Sequence, residues 1–480
     1  MVDAHTAGTR SVWRRKPIAQ LQDEESHSGL SRTIGLWQLT AIGVGGIIGA
    51  GIFSLAGAVA SSQPGGKGIG PSVLISFLIA GIASAAAALA YAEFAGLIPA
   101  AGSAYTYGYA VLGEVVGWAI GWDLLLEYTA IVAVVAIGIS GYFDYLLAEL
   151  HISLPHWMLG APGTGDGHRV DLFAMVLCLL IAFLLTRGMR TAARFETVVV
   201  GIKVAIVLLV IVVGFFQVKS GNYTPFMPKG FGGAVTGAAT VFFAVFGYDA
   251  MSTAAEESKD AQRHMPRAIV YSLVIAMVLY VLACLVLTGM QDFKSINPTA
   301  GFSSAFKSAQ LGWVGDIVAV GAIVGILTVL FTFMMGVTRV WFAMSRDGLL
   351  PKWFAKTDPR HHVPTRVTWI VGVASAVIAG LMPIGDAAEL TNIGILLAFV
   401  VVCIAVIRLR YTQPDLPRTF RCPGMPVVPL IGVGFSIWLI TFLEPITWIR
   451  FAVWFVLGMA VYFGYGRRHS LLEPGSPRRE

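Results

Sequence analysis

The chain has 480 residues, of which 56% are hydrophobic and only 12% charged, and its mean hydropathy is +0.75. A charged fraction about half that of a soluble globular protein cannot cover a water-facing surface, so a string of soluble domains is excluded and most of the surface faces lipid. The formal net charge of +6 does not call for a nucleic-acid partner, because its placement along the chain carries the information.

Residues 1–35 read as a polar cytoplasmic tail, with Arg14-Arg15-Lys16 followed by Asp23-Glu24-Glu25 and no removable signal peptide. A membrane-crossing helix needs about 20 apolar residues, because backbone polar groups find no partner in lipid. Twelve stretches meet that need, at 36–60, 71–98, 115–147, 170–187, 195–217, 233–255, 267–290, 313–344, 365–383, 386–408, 426–443 and 447–466. The long third and eighth predict a tilted helix or a short surface helix at one end. Met382-Pro383-Ile384-Gly385-Asp386 predicts a tight turn. With the N-terminus in the cytoplasm, 24 Lys and Arg fall on the cytoplasmic side and seven on the other, the bias expected of a correct count and orientation. Both termini, including the tail 467–480, are then cytoplasmic, and the chain is a multi-pass protein of the cell membrane.

The first stretch carries six glycines between Gly43 and Gly57, with Gly49-Ala50-Gly51 in the middle. Glycine costs roughly 1 kcal/mol in a helix interior relative to alanine. Its other use in membranes is close helix packing, but a mid-span GxG predicts a break. The sixth stretch is the counterpart: Gly247 interrupts it, flanked by Phe243, Phe246 and Tyr248, with Asp249 adjacent. Paired interruptions at positions one and six predict an inverted repeat with a midplane site. The fold is therefore read as an all-α polytopic membrane protein with 12 transmembrane helices. Repeat 1 is 36–217 (helices 1–5) and repeat 2 is 233–408 (helices 6–10). Segment 409–466 holds a cytoplasmic loop and helices 11–12. Interrupted helices expose N–H groups on one side of the break and carbonyls on the other, which attract an anion and a cation respectively. Two facing breaks suit a zwitterion such as an α-amino acid.

Three further ionisable groups inside the stretches are candidates for the site. Lys203 lies nine residues beyond Arg194, about 13 Å into a core roughly 30 Å thick. A charged lysine there costs about 2.5–3.5 kcal/mol and must face protein or a cavity. Proton coupling, or replacement of a bound cation, is favoured over a purely structural donor to backbone carbonyls. Asp123 and Glu127 share a face of the third helix. Asp123 is expected to be solvated, and Glu127 is open to a site role or to structural pairing. Asp249 is open to capping the break or approaching the substrate. No nucleophile elbow, Walker sequence or zinc motif is present, so no enzyme activity, cofactor or metal is expected. The four cysteines, Cys178, Cys284, Cys403 and Cys422, have no CxxC spacing.

At GIIGAGIF, FFAVFGYDAMSTAAEE, TRVWFAMSRDGLLP and RTFRCPGMPVVP the chain resembles the amino acid–polyamine–organocation superfamily, in particular its cationic amino acid transporter branch and that branch's bacterial relatives. The resemblance runs from about Leu36 to the C-terminus and implies a five-plus-five inverted repeat working by alternating access. It implies that amides at Gly49, Ala50 and Gly51 hold a carboxylate. Carbonyls of Phe243, Ala244 and Phe246 would hold the ammonium, with the Phe243 ring closing the site. Lys203 falls where proton-coupled relatives keep a fifth-helix lysine, and Glu127 matches a third-helix acid near the pocket. Ala50 stands where some bacterial relatives carry a hydroxyl residue, which removes a partner for Glu127. The expected function is a proton-linked permease for cationic (Arg, Lys, ornithine) or small neutral L-amino acids. A polyamine or sodium-coupled carrier and a membrane nutrient sensor are the competing readings. The partners expected are the L-amino acid, a proton and the lipid bilayer, with no obligate protein partner.

Overall fold

The computed structural model describes residues 13–15, 34–97, 103–187, 193–248, 251, 258–358 and 363–471. Among these residues the regular structure is helical, with two isolated bridges, Ile34 to Ser258 and Leu159 to Asp171. Eight segments are long and apolar enough to cross a membrane by length and composition: Leu36–Ala60, Gly70–Leu97, Glu114–Glu149, Val198–Phe215, Ala261–Met290, Gly312–Arg346, Ile384–Thr412 and Pro445–His469. Four shorter apolar helices lie between them, at Leu172–Thr186, Gly230–Val245, Thr365–Leu381 and Val427–Ile440.

In chain order the elements that position the site begin with α1 (Leu36–Ile47), a π-helical turn (Gly51–Leu55) and α2 (Ala56–Ala60). Then follow α3 (Val73–Leu97), α4 (Ser103–Val111), α5 (Glu114–Glu149), α6 (Leu172–Thr186) and α7 (Ala193–Phe215). The second half holds α8 (Gly230–Val241), α9 (Ala261–Met290), α10 (Gly301–Ser308), α11 (Gly312–Arg346), α12 (Thr365–Leu381) and α13 (Ile384–Thr412). It closes with α14 (Val427–Ile440) and α15 (Pro445–Val461).

Burial orders these helices. The most apolar windows of Leu36–Ala60 and Glu114–Glu149 are each 89% buried, whereas that of Pro445–His469 is 17% buried. The first two therefore form the centre and the last the rim, whose Val453, Val456 and Leu457 are exposed. At 36 residues, α5 is about 54 Å long and is the spine against which α11, α12 and α13 pack.

Two expectations shift here. The extra helix near the third stretch is α4, which is separate from α5 and precedes it. The chain turns between them at Gly113, whose φ is +113°, with the Trp13 backbone packed on it at 3.0 Å from where a Cβ would lie. Its tyrosines, Tyr105, Tyr107 and Tyr109, hid it from a hydropathy reading. The tight turn falls at Met382-Pro383, so α13 begins at Ile384 rather than at 386.

One end of α5 gathers both ends of the chain. Glu114 N–H donates to Arg14 O at 2.8 Å. The Glu114 carboxylate accepts from Tyr462 Oη at 2.9 Å and Ser470 Oγ at 2.6 Å. Leu471 N–H donates to Asp347 O at 3.1 Å, at the end of α11. The RTFRC stretch is tied down near the same end of its neighbours: buried Glu93 of α3 accepts from Arg410 Nε at 3.1 Å and from Cys422 N–H at 2.8 Å, and Arg418 Nε lies 3.0 Å away. Arg418, 1% exposed, also donates to Leu409 O and Gln413 O, satisfying carbonyls that the end of α13 leaves over. All four cysteines are buried and free.

Candidate functional site

The first membrane helix is interrupted where its glycines predict. α1 stops at Ile47, Ile48 is extended (φ −73°, ψ 101°), and helical geometry resumes at Ala50 with the π-helical turn. Such single π turns widen the hydrogen-bond ring and recur at functional sites. α8 tightens into a 3-10 turn (Phe242–Val245) and then gives way: Phe246 is extended and Gly247 has φ +119°. The two interruptions touch. A Cβ on Gly51 would lie 2.4 Å from Ala244 Cβ, and one on Gly46 would lie 2.7 Å from Gly247 O.

Between them lies a cavity of about 240 Å³ lined by Gly46, Ile47, Gly49, Ala50, Gly51, Phe243, Phe246, Val329 and Phe333. Five of the nine residues singled out in the sequence, Gly49, Ala50, Gly51, Phe243 and Phe246, therefore meet in one place. Ala244 packs directly behind, against Gly51. Among the described residues the lining carries no ionisable side chain. Its polar capacity is backbone, and its walls are aliphatic and aromatic.

Lys203 lies next door. It is 1% exposed, and its Nζ donates to Gly45 O at 2.8 Å, at the carbonyl end of α1. It lines a second cavity of about 300 Å³ with Ile42, Val200, Thr328 and Thr332, which shares Gly46, Val329 and Phe333 with the first. The bond to a backbone carbonyl is the geometry of a structural lysine; its position at the break is what makes a coupling role possible. Tyr280 Oη donates to Ile47 O at 2.6 Å, so two of the carbonyls left over by α1 are held by side chains.

Glu127 is buried on α5 but does not line the first cavity. Its neighbour Tyr128 stands edge-on to the wall residue Phe333, with ring centroids 5.3 Å apart. Asp123, expected to be solvated, is instead 6% exposed. It packs against α13 where Gly394 leaves room: Asp123 Oδ1 lies 2.6 Å from the place of an added Cβ. Asp249 lies outside the described residues.

Two polar residues that the sequence reading passed over sit on α13. Glu389, 1% exposed, accepts from Thr240 Oγ1 at 3.2 Å, Glu444 N–H at 3.1 Å and Thr447 Oγ1 at 3.3 Å. Lys67 Nζ lies 2.9 Å from it and also contacts Glu444. Asn392 bonds the end of α8. A charged residue inside an apolar stretch is a signal in itself, and Glu389 carried it, three residues into the tenth stretch.

The Lys67–Glu389 pair allows a stability prediction. Removing one partner of a buried pair costs about 3–5 kcal/mol. Lys67 keeps 18% exposure, which places K67A near the lower end, about 3 kcal/mol, read as a fall in melting temperature in detergent. Burial pushes the Lys67 ammonium down, but Glu389 and Glu444 outweigh it and hold it above its ordinary range. A raised lysine contributes fully below its unfolded value and loses that contribution only as pH climbs past its folded value. The K67A deficit should therefore be constant between about pH 7 and 9; a deficit that vanishes within that window would show that the pair is not what stabilises this end.

A family model described as amino acid permease matches residues 34–470. The methylthioribose transporter of Bacillus subtilis (strain 168) is 45% identical over 462 residues, covering 96% of this chain and 99% of the relative. The branched-chain amino acid permease BcaP of the same organism is 44% identical over 466 residues, covering 96% and 99%. The vacuolar cationic amino acid transporter 4 of Arabidopsis thaliana is 35% identical over 413 residues, covering 84% of this chain and 68% of the relative.

Proposed function

The chain belongs to the amino acid permease family of the amino acid–polyamine–organocation superfamily, a multi-pass membrane transporter and not an enzyme, and on that premise we propose that it is a proton-linked permease for small neutral L-amino acids with aliphatic side chains. The observation that carries the substrate class is the lining of the cavity at the two interruptions. Backbone groups at Gly49–Gly51 and Phe243–Phe246 offer complementary poles for a carboxylate and an ammonium. Ile47, Val329, Phe333 and the two phenylalanines of the sixth stretch offer an apolar room that, among the described residues, holds no acid for a guanidinium or a second ammonium.

The twelve-span, five-plus-five reading belongs to the same proposal. It is supported by the interruptions in the first and sixth stretches and by short helices, α4 and α10, ahead of the third and eighth. Cytoplasmic termini are supported by the 24-to-seven placement of basic residues, and the meeting of Arg14 and Ser470 at Glu114 supports a common side for both. Transport by alternating access then opens the cavity toward one end of α5 at a time.

A second reading, a carrier of a neutral thiosugar, is favoured by the name of one relative and by the uncharged lining. Purified protein in liposomes distinguishes them: radiolabelled leucine, arginine and methylthioribose are offered with and without an acid-outside gradient. Leucine uptake should exceed arginine uptake about tenfold, the discrimination that burying an unpaired charge imposes, and should rise with the gradient. Methylthioribose uptake without leucine uptake overturns the amino acid reading, and leucine uptake indifferent to the gradient overturns proton linkage.

A further inference from the structure

The last turn of α8 is held from the side by one asparagine. Asn392 of α13 is fully buried, and its Nδ2 donates at 2.7 Å to Ala239 O and at 2.7 Å to Thr240 O. Chemistry fixes the orientation, because both partners are acceptors and only the amide nitrogen can donate to them. Glu389, one turn away on the same face of α13, accepts from the Thr240 side chain at 3.2 Å. One turn of α13 thus grips α8 immediately before it tightens into Phe242–Val245.

Packing alone does not call for an asparagine here. A buried amide loses its hydration and regains it only through hydrogen bonds. The Oδ1 of Asn392 has no hydrogen-bond partner among the described residues, an uncompensated cost. An apolar side chain of similar size would avoid that cost but would release two carbonyls in the last turn of α8, where a helix runs out of its own donors. What the asparagine supplies is the place and direction in which α8 stops. The carbonyls that follow, on Phe243, Ala244 and Phe246, are those assigned above to the substrate's ammonium.

We infer that Asn392 is a positioning residue for recognition of the substrate's α-ammonium: it does not line the cavity, but it sets where the carbonyl rim of the cavity lies. The inference rests on the amino acid reading and deepens it. Loss of the grip weakens the bond between rim and ammonium, a charge-assisted contact, while leaving the carboxylate pole at Gly49–Gly51 intact.

The test compares leucine with 2-hydroxy-4-methylpentanoate, the same skeleton with a hydroxyl in place of the ammonium. In proteoliposomes, N392D, which points an acceptor at two carbonyls, should raise the leucine KM about tenfold, as expected for a spoiled charge-assisted hydrogen bond. The inhibition constant of the hydroxy acid should stay within about twofold. Equal shifts for both compounds, or an unchanged leucine KM, overturn the inference, as does a wild type that does not distinguish the two. Where N392D fails to fold, judged by gel filtration, N392A removes the donors without adding an acceptor and must show the same split; a wild-type KM in N392A overturns it. Failure of the amino acid reading shows separately, as absence of leucine uptake and inhibition in the wild type.

Discussion

Replacing Lys203 with alanine should abolish accumulation of substrate against its gradient while leaving exchange of substrate across the membrane measurable. The ammonium of Lys203 donates to Gly45 O at 2.8 Å, in the last turn of α1, where the helix dipole presents its negative end. In the protonated form the contact is charge-assisted and holds α1 to α7. The neutral amine keeps a hydrogen bond but loses the charge, so the tie weakens by roughly the 1–2 kcal/mol that separates charged from neutral bonds. Under the proposed proton linkage, that difference would make movement of the first interrupted helix depend on a proton. With alanine the tie is absent in both states, and the acid-outside gradient has nothing to act on. With arginine, which does not release its proton, the tie is permanent: K203R should bind substrate and fail to cycle. The measurement is gradient-driven uptake beside substrate exchange at equal pH. Accumulation by K203A equal to wild type would remove Lys203 from the coupling step.

The parts of this arrangement that were legible in the sequence are those written in local pattern. Hydropathy locates the apolar stretches because each must satisfy its backbone within itself. The breaks at Ile48-Gly49 and Phe246-Gly247 were legible because glycine both weakens a helix and permits conformations other residues avoid. Lys203 announced itself by its depth. What could not be read were contacts between stretches. The partner of Lys67 is Glu389, far along the chain, and a charge within the stretch at 386–408 marks a polar contact without naming its partner. Asn392 gained its meaning only from the end of α8 lying beside it. Asp123 looked like a residue at a wet helix end, and its burial depends on Gly394 of another helix making room. Hydropathy measures how apolar a segment is, and it is silent on which neighbour a polar group meets.

Gly247 to alanine should damage both transport and stability, with a fall of at least about tenfold in uptake and a lower melting temperature. Two costs coincide there. Gly247 has φ +119°, a conformation that costs a non-glycine residue about 1–3 kcal/mol. An added Cβ would also lie 2.6 Å from Gly46 O, 2.7 Å from Gly46 C and 3.0 Å from Ile47 N. These are backbone atoms of α1's last turn, whose carbonyls are already held by Lys203 and Tyr280, so they cannot yield as a side-chain tip would. Overpacking of this kind costs about another 1–3 kcal/mol. Relief requires α1 and the end of α8 to separate, which pulls apart Gly46 and Phe246, both walls of the cavity. Stability and binding should therefore fall together. G434A, on α14 with open space around the glycine, adds the same methyl without contact and should stay within about 0.5 kcal/mol of wild type. If G247A melts and transports as G434A does, the two interrupted helices do not need to touch, and the cavity between them is not where substrate is held.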